Sequence, residues 1–371
     1  MVKVCHLTSA HDSNDVRIFY KECVSLASAG YDMYLVAQGK SREEAGVHVI
    51  GTGAAPDSRL KRMTVFAERI YKKALEVDAD IYHLHDPELL PYGKKLKKLG
   101  KKVIFDSHEN TLEQMLDKAY IPALIRPAAS EGYRWYATKL FKQFDALISV
   151  TPHIVNQLAQ INSSTYMVTN YPLLEEMTTG ENEKEEKLRL CFAGGISEQW
   201  SHETILGALA EEDNVEYMLC GQGKKEYIKI LQDMPGWKNV QFYGMLPHAE
   251  SLELQKKSDI GMALLQPSRN TGFNVGTIGN TKIFEYMLSG IPIICTNFTL
   301  WQEIIQHYQC GICVPPQDPK AVLDAIRFIQ THRDMAAQMG RNGRRAVEQE
   351  FNWSTQEKTL LELYAKLCGE M

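Results

Sequence analysis

The feature that most constrains this chain is an alternation that occurs twice. Short apolar runs separated by amphipathic stretches of helical period fill the first half, and the same pattern restarts after a polar break. A chain of this kind buries its apolar surface as a parallel sheet with helices on both faces. The first strand candidates are Val2–Leu7, Met33–Ala37, Val47–Ile50, Ile81–His85, Val103–Phe105, Ala146–Val150 and Tyr166–Val168. The second set is Leu188–Ala193, Val215–Cys220, Val240–Tyr243, Ile260–Leu264, Ile291–Cys295 and Gly311–Val314. Between them Asn170-Tyr171-Pro172 breaks the pattern, and Glu175–Lys187 is acidic, polar and interrupted by Gly180. The expected organisation is a doubly wound α/β domain over 1–170, a linker over 171–187 and a second such domain over 188–352. With 371 residues, each domain is large enough for its own core. Trp353–Leu367 reads as a closing amphipathic helix capped by Ser354, with Leu360, Leu361, Tyr364 and Leu367 as candidates for burial.

In sheets of this type ligands bind in the loops after the carboxyl ends of the strands. The first half loads those loops with chemistry: Ser9-Ala10-His11-Asp12, His85-Asp86-Pro87-Glu88, Asp106-Ser107-His108-Glu109-Asn110 and Thr151-Pro152-His153. Each alone is explained as a cap or a turn. Together, at one sheet edge, they indicate a site. The first helix follows a cap at Asn14 or Asp15 and carries Val16, Phe19, Cys23 and Leu26 on one side.

In the second half, Gly194-Gly195-Ile196-Ser197 follows the first strand, and its glycines allow backbone to approach a diphosphate closely. Gly221-Gln222-Gly223 follows the second strand and by itself signals only a tight turn. Tyr243-Gly244-Met245-Leu246-Pro247 offers backbone against which a planar base can lie. A long segment from Gln266 to Gly279, containing Arg269, Asn270 and Thr277, then delivers the chain to Asn280–Pro292. There Asn280 or Thr281 can cap a short helix, Gly290 can take the left-handed position after it, and Pro292 prevents its continuation. Ile283, Phe284, Met287 and Leu288 share the apolar face, and Lys282, Glu285 and Ser289 share another. A cation at Lys282 opposes the helix dipole, which makes sense if an anion binds at the helix start. Glu285 can then accept hydrogen bonds from a pair of sugar hydroxyls. A solvated Lys/Glu pair is the plainer alternative. None of the glycine loops is G-x-G-x-x-G with an acid about 20 residues on, so an NAD site is poorly supported.

Composition narrows the classes further. A net charge of −5 gives no global attraction to nucleic acid, and none is expected as a partner. Met1–Leu7 is too short an apolar run for a signal peptide, and no run approaches the ~18 apolar residues of a spanning helix. A cytoplasmic location is expected. The eight cysteines fall mostly within apolar strands or on apolar helix faces, as small buried hydrophobes. Cys310-Gly311-Ile312-Cys313 lacks the second pair of a zinc site and does not open a helix, as a redox pair does. No metal-binding cluster and no cofactor is expected. Leu96 and Leu99 sit among Lys94, Lys95, Lys97, Lys98, Lys101 and Lys102. This Lys94–Lys102 segment reads either as a solvated helix end or as a peripheral contact with the inner face of a membrane, at about 1 kcal/mol per contacting cation. Aromatic and basic residues between Tyr133 and Phe144 fit the second reading too.

The stretch Asn280–Pro292, with Phe284-Glu285-Tyr286-Met287 and Gly290-Ile291-Pro292, resembles the nucleotide-sugar site of retaining glycosyltransferase family 4, the glycosyl transferases group 1. Asp15-Val16-Arg17-Ile18-Phe19, Tyr82-His83-Leu84-His85-Asp86-Pro87-Glu88 and Phe192-Ala193-Gly194-Gly195-Ile196 are similar to the bacterial polysaccharide branch of that family. The resemblance spans essentially the whole chain. It implies the GT-B fold: two Rossmann-like domains facing a cleft, with the helix 353–371 returning to the first, acceptor-side domain. It implies a UDP- or GDP-linked sugar as donor and a glycan or lipid-linked acceptor. Transfer with retention follows, without a required metal, because cationic side chains and helix N-termini stabilise the diphosphate.

Carried over by position, Glu285 holds the ribose hydroxyls and Lys282 neutralises the diphosphate. Gly194, Gly195, Arg269, Asn280 and Thr281 complete the donor set. His108 matches the first-domain histidine that reaches the donor sugar, with Glu285 its partner in catalysis. His11, Asp12, Arg17, Asp86 and Glu109 line the acceptor side. Asp78-Ala79-Asp80 is a turn before a strand rather than a metal-binding D-x-D. Two departures stand out. The paired glutamates of the family are spaced E-x7-E, and the position eight before Glu285 is Thr277. The Arg and Lys expected after the Gly-Gly loop are absent from Glu198-Gln199-Trp200-Ser201-His202, with Arg269 as a candidate substitute. A sugar-nucleotide epimerase of the same architecture and a non-catalytic nucleotide-sugar-binding protein are the alternative readings.

Overall fold

The computed structural model describes residues 1–110, 112, 116, 121–176 and 187–369. Of the 171–187 segment, residues 177–186 lie outside the described residues. The chain divides into two compact units, one formed by Met1–Asn170 with Trp353–Met371 and the other by Tyr171–Asn352.

The sheet of the first unit contains β1 (Lys3–Asp12), β2 (Asp32–Gln38), β3 (Arg42–Glu44), β4 (Val47–Gly51), β5 (Ile81–Leu84), β6 (Lys102–Ser107), β7 (Ala146–Ser149) and β8 (Thr165–Met167). Their order is β3-β4-β2-β1-β5-β6-β7-β8, parallel except for the antiparallel β3–β4 pair. β3 carries no apolar signature because it is a short polar edge, Arg-Glu-Glu. The strand order reverses direction between β1 and β5, the switch point at which such folds place their ligands. Beneath one face lies a core of Cys5, Leu7, Tyr82, Leu84, Phe105 and Phe141, among others.

Asp15 is the cap of the first helix: its carboxylate accepts hydrogen bonds from the backbone N–H of Arg17 and Ile18. The helix opens π-wound over Val16–Cys23 and continues α-helical over Val24–Ser28. Phe19, Cys23 and Leu26 are fully buried.

The closing helix, Trp353–Cys368, packs on the first unit. It differs in detail from the sequence reading. It begins at Trp353, so Ser354 lies exposed inside its first turn and is not the cap. Trp353, Leu360, Leu363 and Tyr364 form the buried face, while Leu361 and Leu367 lie on its half-buried flanks. Trp353 donates its indole N–H to Ser25 Oγ at 2.9 Å, and Gln356 accepts from the Thr169 N–H at 2.8 Å.

The lysine-rich segment is largely occupied within the unit. Leu96 is buried and Leu99 is exposed, so the two do not form one apolar face. Lys97 pairs with Asp145 at 2.7 Å and Lys101 with Asp78 at 2.6 Å. Lys95 lies over Tyr71 and Tyr92, and Lys102 bonds to the Leu367 carbonyl. Among the described residues no helix is long and apolar enough to cross a membrane.

The second unit contains β9 (Leu188–Ala193), β10 (Val215–Cys220), β11 (Val240–Gly244), β12 (Ile260–Ala263), β13 (Ile293–Thr296) and β14 (Gly311–Val314). All pair in parallel in the order β11-β10-β9-β12-β13-β14, the doubly wound arrangement with its switch point between β9 and β12. β13 starts later than the apolar run suggests, because Ile291 and Pro292 are taken up by the turn after the helix. The cysteines are free thiols, with Cys295 and Cys313 side by side on β13 and β14.

Leu360→Ala removes a fully buried side chain from the closing helix and is expected to cost about 2–5 kcal/mol. Urea unfolding monitored by fluorescence measures it; a cost below about 1 kcal/mol contradicts the docking of this helix as core.

Candidate active site

In the second unit the loop after β9 and the helix Lys282–Leu288 meet at the switch point. Gly194 has φ +147°, and a Cβ on it would stand 2.1 Å from Lys282 Nζ. Gly221, at the end of β10, packs so closely that a Cβ there would lie 1.7 Å from the Gly194 carbonyl oxygen. The G-x-G after β10 is therefore required by contact as well as by the turn. Into the space left by Gly194 comes the Lys282 ammonium, which donates to the Ala193 carbonyl at 2.5 Å. The ring centroids of Phe192 and Trp200 stand 4.8 and 5.1 Å from it, within cation–π range. Among the described residues no carboxylate lies within 4.0 Å of this ammonium. Burial lowers its pKa, and the charge of Glu285 opposes that only in part. The result is a partly buried cation held by a neutral carbonyl and two rings.

Glu285 lies one turn into the helix and is half-buried. Its Oε1 accepts from Thr281 Oγ1 at 2.5 Å and its Oε2 from Gln255 Nε2 at 3.3 Å. Thr281 thus orients the carboxylate, and it is Asn280 Oδ1 that accepts from the first free N–H, that of Lys282, at 3.1 Å. Ile283, Phe284, Tyr286, Met287 and Leu288 are all buried, so the helix is a core element with one polar edge. Gly290 takes the left-handed position after it at φ +72°.

Thr277 is buried, and its carbonyl accepts the Trp301 indole N–H at 2.7 Å, which ties down the preceding loop. Arg269 lies on that loop, with its guanidinium 5.8 Å from the Phe273 ring centroid. Gly195 is open to space on its Cβ side. Where the resemblance implies basic residues after the Gly-Gly loop, Trp200 and His202 are buried instead. His202 bonds to Tyr217 OH at 3.2 Å, and burial lowers its pKa to about 3.

In the first unit the histidines gather at the β1/β5 switch point. His6 and His83 are direct partners across the β1–β5 pair, and His85 follows two residues on, on the same face. All three are buried. They form a continuous chain of hydrogen bonds with Tyr364 of the closing helix. Tyr364 OH lies 2.9 Å from both His6 Nε2 and His83 Nδ1. His6 Nδ1 lies 2.9 Å from His85 Nε2, and His85 Nδ1 lies 3.1 Å from His108 Nε2. Burial holds His6 and His85 well below the usual range and His83 at about 3. His108, at the outer end of this chain, is partly exposed and sits 3.3 Å from Asp106 Oδ2.

The acids and the arginine around it are placed differently from one another. Arg17 is buried and donates to Asp106 at 3.1 Å through Nε and at 2.7 Å through Nη2, with Glu22 3.0 Å from Nε. It is a structural cation beneath the loops. Burial raises the Asp106 carboxyl, but Arg17 and His108 outweigh it and hold the group well below its usual range. Glu22 goes the other way: burial and the neighbouring Asp106 push it up despite Arg17. Asp86 clamps the β1 loop by accepting from Thr8 Oγ1 at 2.8 Å and from the N–H groups of Ser9 and Ala10 at 2.6 and 3.2 Å. Asp12 and Glu109 are exposed; Asp12 accepts from the Asn14 N–H, and Glu109 offers its carbonyl to Ser107. His11 bonds to Asp15 at 3.0 Å and lies 3.8 Å from Asp86. Its ring centroid is 5.1 Å from that of His108.

His6, His83 and Glu22 have no site role among the sequence-based expectations, and Tyr364 is expected there only as a buried face residue. The signal was present in Tyr82-His83-Leu84-His85, where a fully buried strand places a polar residue at every second position. Such residues need partners inside the protein.

Two family models match successive parts of the chain. The Glycosyltransferase Family 4 model matches residues 16–168 and the Glycosyl transferases group 1 model residues 175–346. The chain belongs to the group 1 glycosyltransferases of family 4. Among curated relatives this glycosyltransferase is 23% identical to the D-rhamnosyltransferase WbpZ of Pseudomonas aeruginosa, over 94% of this chain and 92% of that protein. Solved structures share its GT-B fold. Sucrose-phosphate synthase from Thermosynechococcus elongatus superposes with a TM-score of 0.81 at 16% identity, covering 100% of both chains. Anabaena Alr3699/HepE in complex with UDP-glucose gives 0.72 at 13% identity, over 99% of this chain and 100% of that one.

Two measurements test the geometry of the sites. Burial tends to lower the His11 pKa, but the hydrogen bond to Asp15 and the charges of Asp86, Asp15 and Asp106 outweigh it and raise the pKa above 6.5. The same bond holds Asp15 at about 2. Because the folded-state value of His11 is raised, the pair stabilises the fold below pH 6.5, and that contribution fades as pH rises through the folded value. An NMR titration of the His11 ring should show a midpoint above 6.5 that drops in Asp15→Asn; an unchanged midpoint contradicts the pairing. Gly194→Ala strains a left-handed residue and collides with Lys282, so a loss of more than about 1 kcal/mol is expected in urea unfolding.

Proposed function

We propose that this glycosyltransferase is a retaining, metal-independent hexosyltransferase. It moves a sugar from a UDP- or GDP-linked donor to a glycan or lipid-linked acceptor in the making of a cell-surface polysaccharide. The observation that carries the reading is Lys282: a partly buried ammonium beside a glycine loop, with no carboxylate within 4.0 Å among the described residues and with Glu285 fixed one turn away. A diphosphate satisfies that cation, and the paired hydroxyls of a ribose satisfy the free capacity of the carboxylate. The name of the D-rhamnosyltransferase WbpZ supports sugar transfer, the similar fold of WaaG, a glycosyltransferase involved in lipopolysaccharide biosynthesis, supports a cell-surface role, and the HepE complex supports a nucleotide-sugar donor.

In the transfer step the bond from the anomeric carbon to the diphosphate oxygen breaks. The bond to the acceptor oxygen forms on the same face, and the acceptor proton passes to the leaving phosphate. Lys282 stabilises the charge that develops on that phosphate. His108, held by His85 and Asp106, serves the sugar or acceptor as a hydrogen-bonding and proton-handling group. The buried Thr277 in place of a glutamate leaves the contact to the donor sugar uncharged, and Arg269 supplies a further cation to the diphosphate. The protein works in the cytoplasm, at the inner face of the membrane when its acceptor is lipid-linked.

A thermal-shift screen across UDP- and GDP-sugars should find a donor that raises the melting temperature, since a ligand selective for the folded state stabilises it. Glu285→Ala should abolish that shift. His108→Ala should keep it while lowering turnover about 100-fold or more. An undiminished shift in Glu285→Ala overturns the ribose role, and donor binding without transfer to any acceptor favours a non-catalytic binding protein instead.

A further inference from the structure

The histidine chain of the first unit has a second property, carried by Glu22. This residue is fully buried, and neither carboxylate oxygen takes part in a hydrogen bond. Its Oε1 has the Arg17 guanidinium at 3.0 Å. Its Oε2 points into the histidines, 3.7 Å from His6 Nδ1 and 3.8 Å from His85 Nε2, and those two nitrogens, 2.9 Å apart, share a hydrogen bond whose proton a bound cation displaces. The circle through three atoms at these separations has a radius of about 2.0 Å. That is the bond length of zinc to imidazole nitrogen and carboxylate oxygen, roughly 2.0–2.2 Å. His83 adds a further buried nitrogen, Nε2, without a hydrogen-bond partner.

The far sides of the rings are arranged as a metal site requires. A metal-bound histidine ordinarily donates its other ring N–H to a fixed acceptor. With His6 binding through Nδ1, its Nε2–H donates to the Tyr364 hydroxyl oxygen, and with His83 binding through Nε2, its Nδ1–H donates to the same oxygen. With His85 binding through Nε2, its Nδ1–H meets His108 Nε2. Each ring already has a partner for its second nitrogen.

We propose that His6, His85 and Glu22, with His83 at the fourth position, bind a divalent transition cation of the zinc type within the first unit. The donor set of imidazoles and one carboxylate suits zinc, and disfavours calcium and magnesium, which take oxygen. The ion is structural. It fixes His85, and through it the ring of His108, and it takes no part in holding a diphosphate. The site stands apart from the donor reading, so either can fail without the other.

The test uses the full chain, stripped with a chelator and titrated with Co2+. Saturation at a single equivalent, with the intense visible bands of a four-coordinate ion that Zn2+ then displaces, is the expected result. Glu22→Gln and His6→Gln should lose those bands, while His48→Gln, which alters a partly exposed histidine elsewhere, should keep them. Because the ligand variants remove buried partners and can fail to fold, Tyr364→Phe provides a milder change. It leaves every ligand in place and should weaken Co2+ binding about 10–100-fold. Absence of the bands in the wild-type chain overturns the proposal. So does Co2+ binding to folded Glu22→Gln or to Tyr364→Phe with unchanged affinity.

Discussion

A buried guanidinium holds the first unit's site together. Arg17 comes from a π-wound opening turn and reaches Asp106 at the end of β6 and Glu22 on its own helix. Two carboxylates so close together and out of water repel each other, and the arginine lets them coexist. Removing one member of such a cluster leaves an uncompensated buried charge, typically a cost of about 3–5 kcal/mol. Arg17 and His108 meet at the same Asp106 oxygen, Oδ2, so the carboxylate ties the imidazole to the guanidinium. The π-winding of the helix is part of the same arrangement, since it lets Arg17 and Glu22 point at one spot.

The second unit meets a similar demand with fewer charges. Its strands are largely apolar, and the donor-side charges gather at the edge where β9 and the helix Lys282–Leu288 meet. Lys282 rests on a carbonyl and two aromatic rings, a support that does not compete with an incoming anion as a carboxylate would. The glycines at 194 and 221 make that position accessible, while Thr281 and Gln255 stop Glu285 from turning onto the lysine. The two sites therefore differ in kind: one is a charge-balanced polar core, the other a cation in an apolar frame.

Much of this was legible in the sequence. Among the described residues the apolar runs located all but one of the strands, because parallel strands buried on both faces must be largely apolar. The exception, Arg42–Glu44, pairs through backbone alone at an edge. The Asn280–Pro292 motif located the donor-side helix, and its details shifted only where hydrogen bonds decide between neighbours, as with Asn280 and Thr281. The partnership of Tyr364 with His6 was not legible. It joins residues 358 positions apart, and an amphipathic pattern shows which face of a helix is buried without showing what it meets. Leu363 took the place assigned to Leu361 for a related reason: the buried stripe follows the docking angle, which a helical wheel does not contain.

The first unit is built from both ends of the chain, and this has a consequence for how it is made. During synthesis the strands that carry His6, His83 and His85 emerge early, whereas Trp353 and Tyr364 emerge last. Domains that form as the chain leaves the ribosome ordinarily complete from the N-terminus onward. Here the opening sheet must wait, with polar groups unmatched on one face, until the entire second unit has been made. Closing that face requires contacts between residues as far as 358 positions apart, a kind that is slow to form. The last helix is thus the step that commits the first unit to its final packing, and a chain truncated before it would present an unfinished sheet.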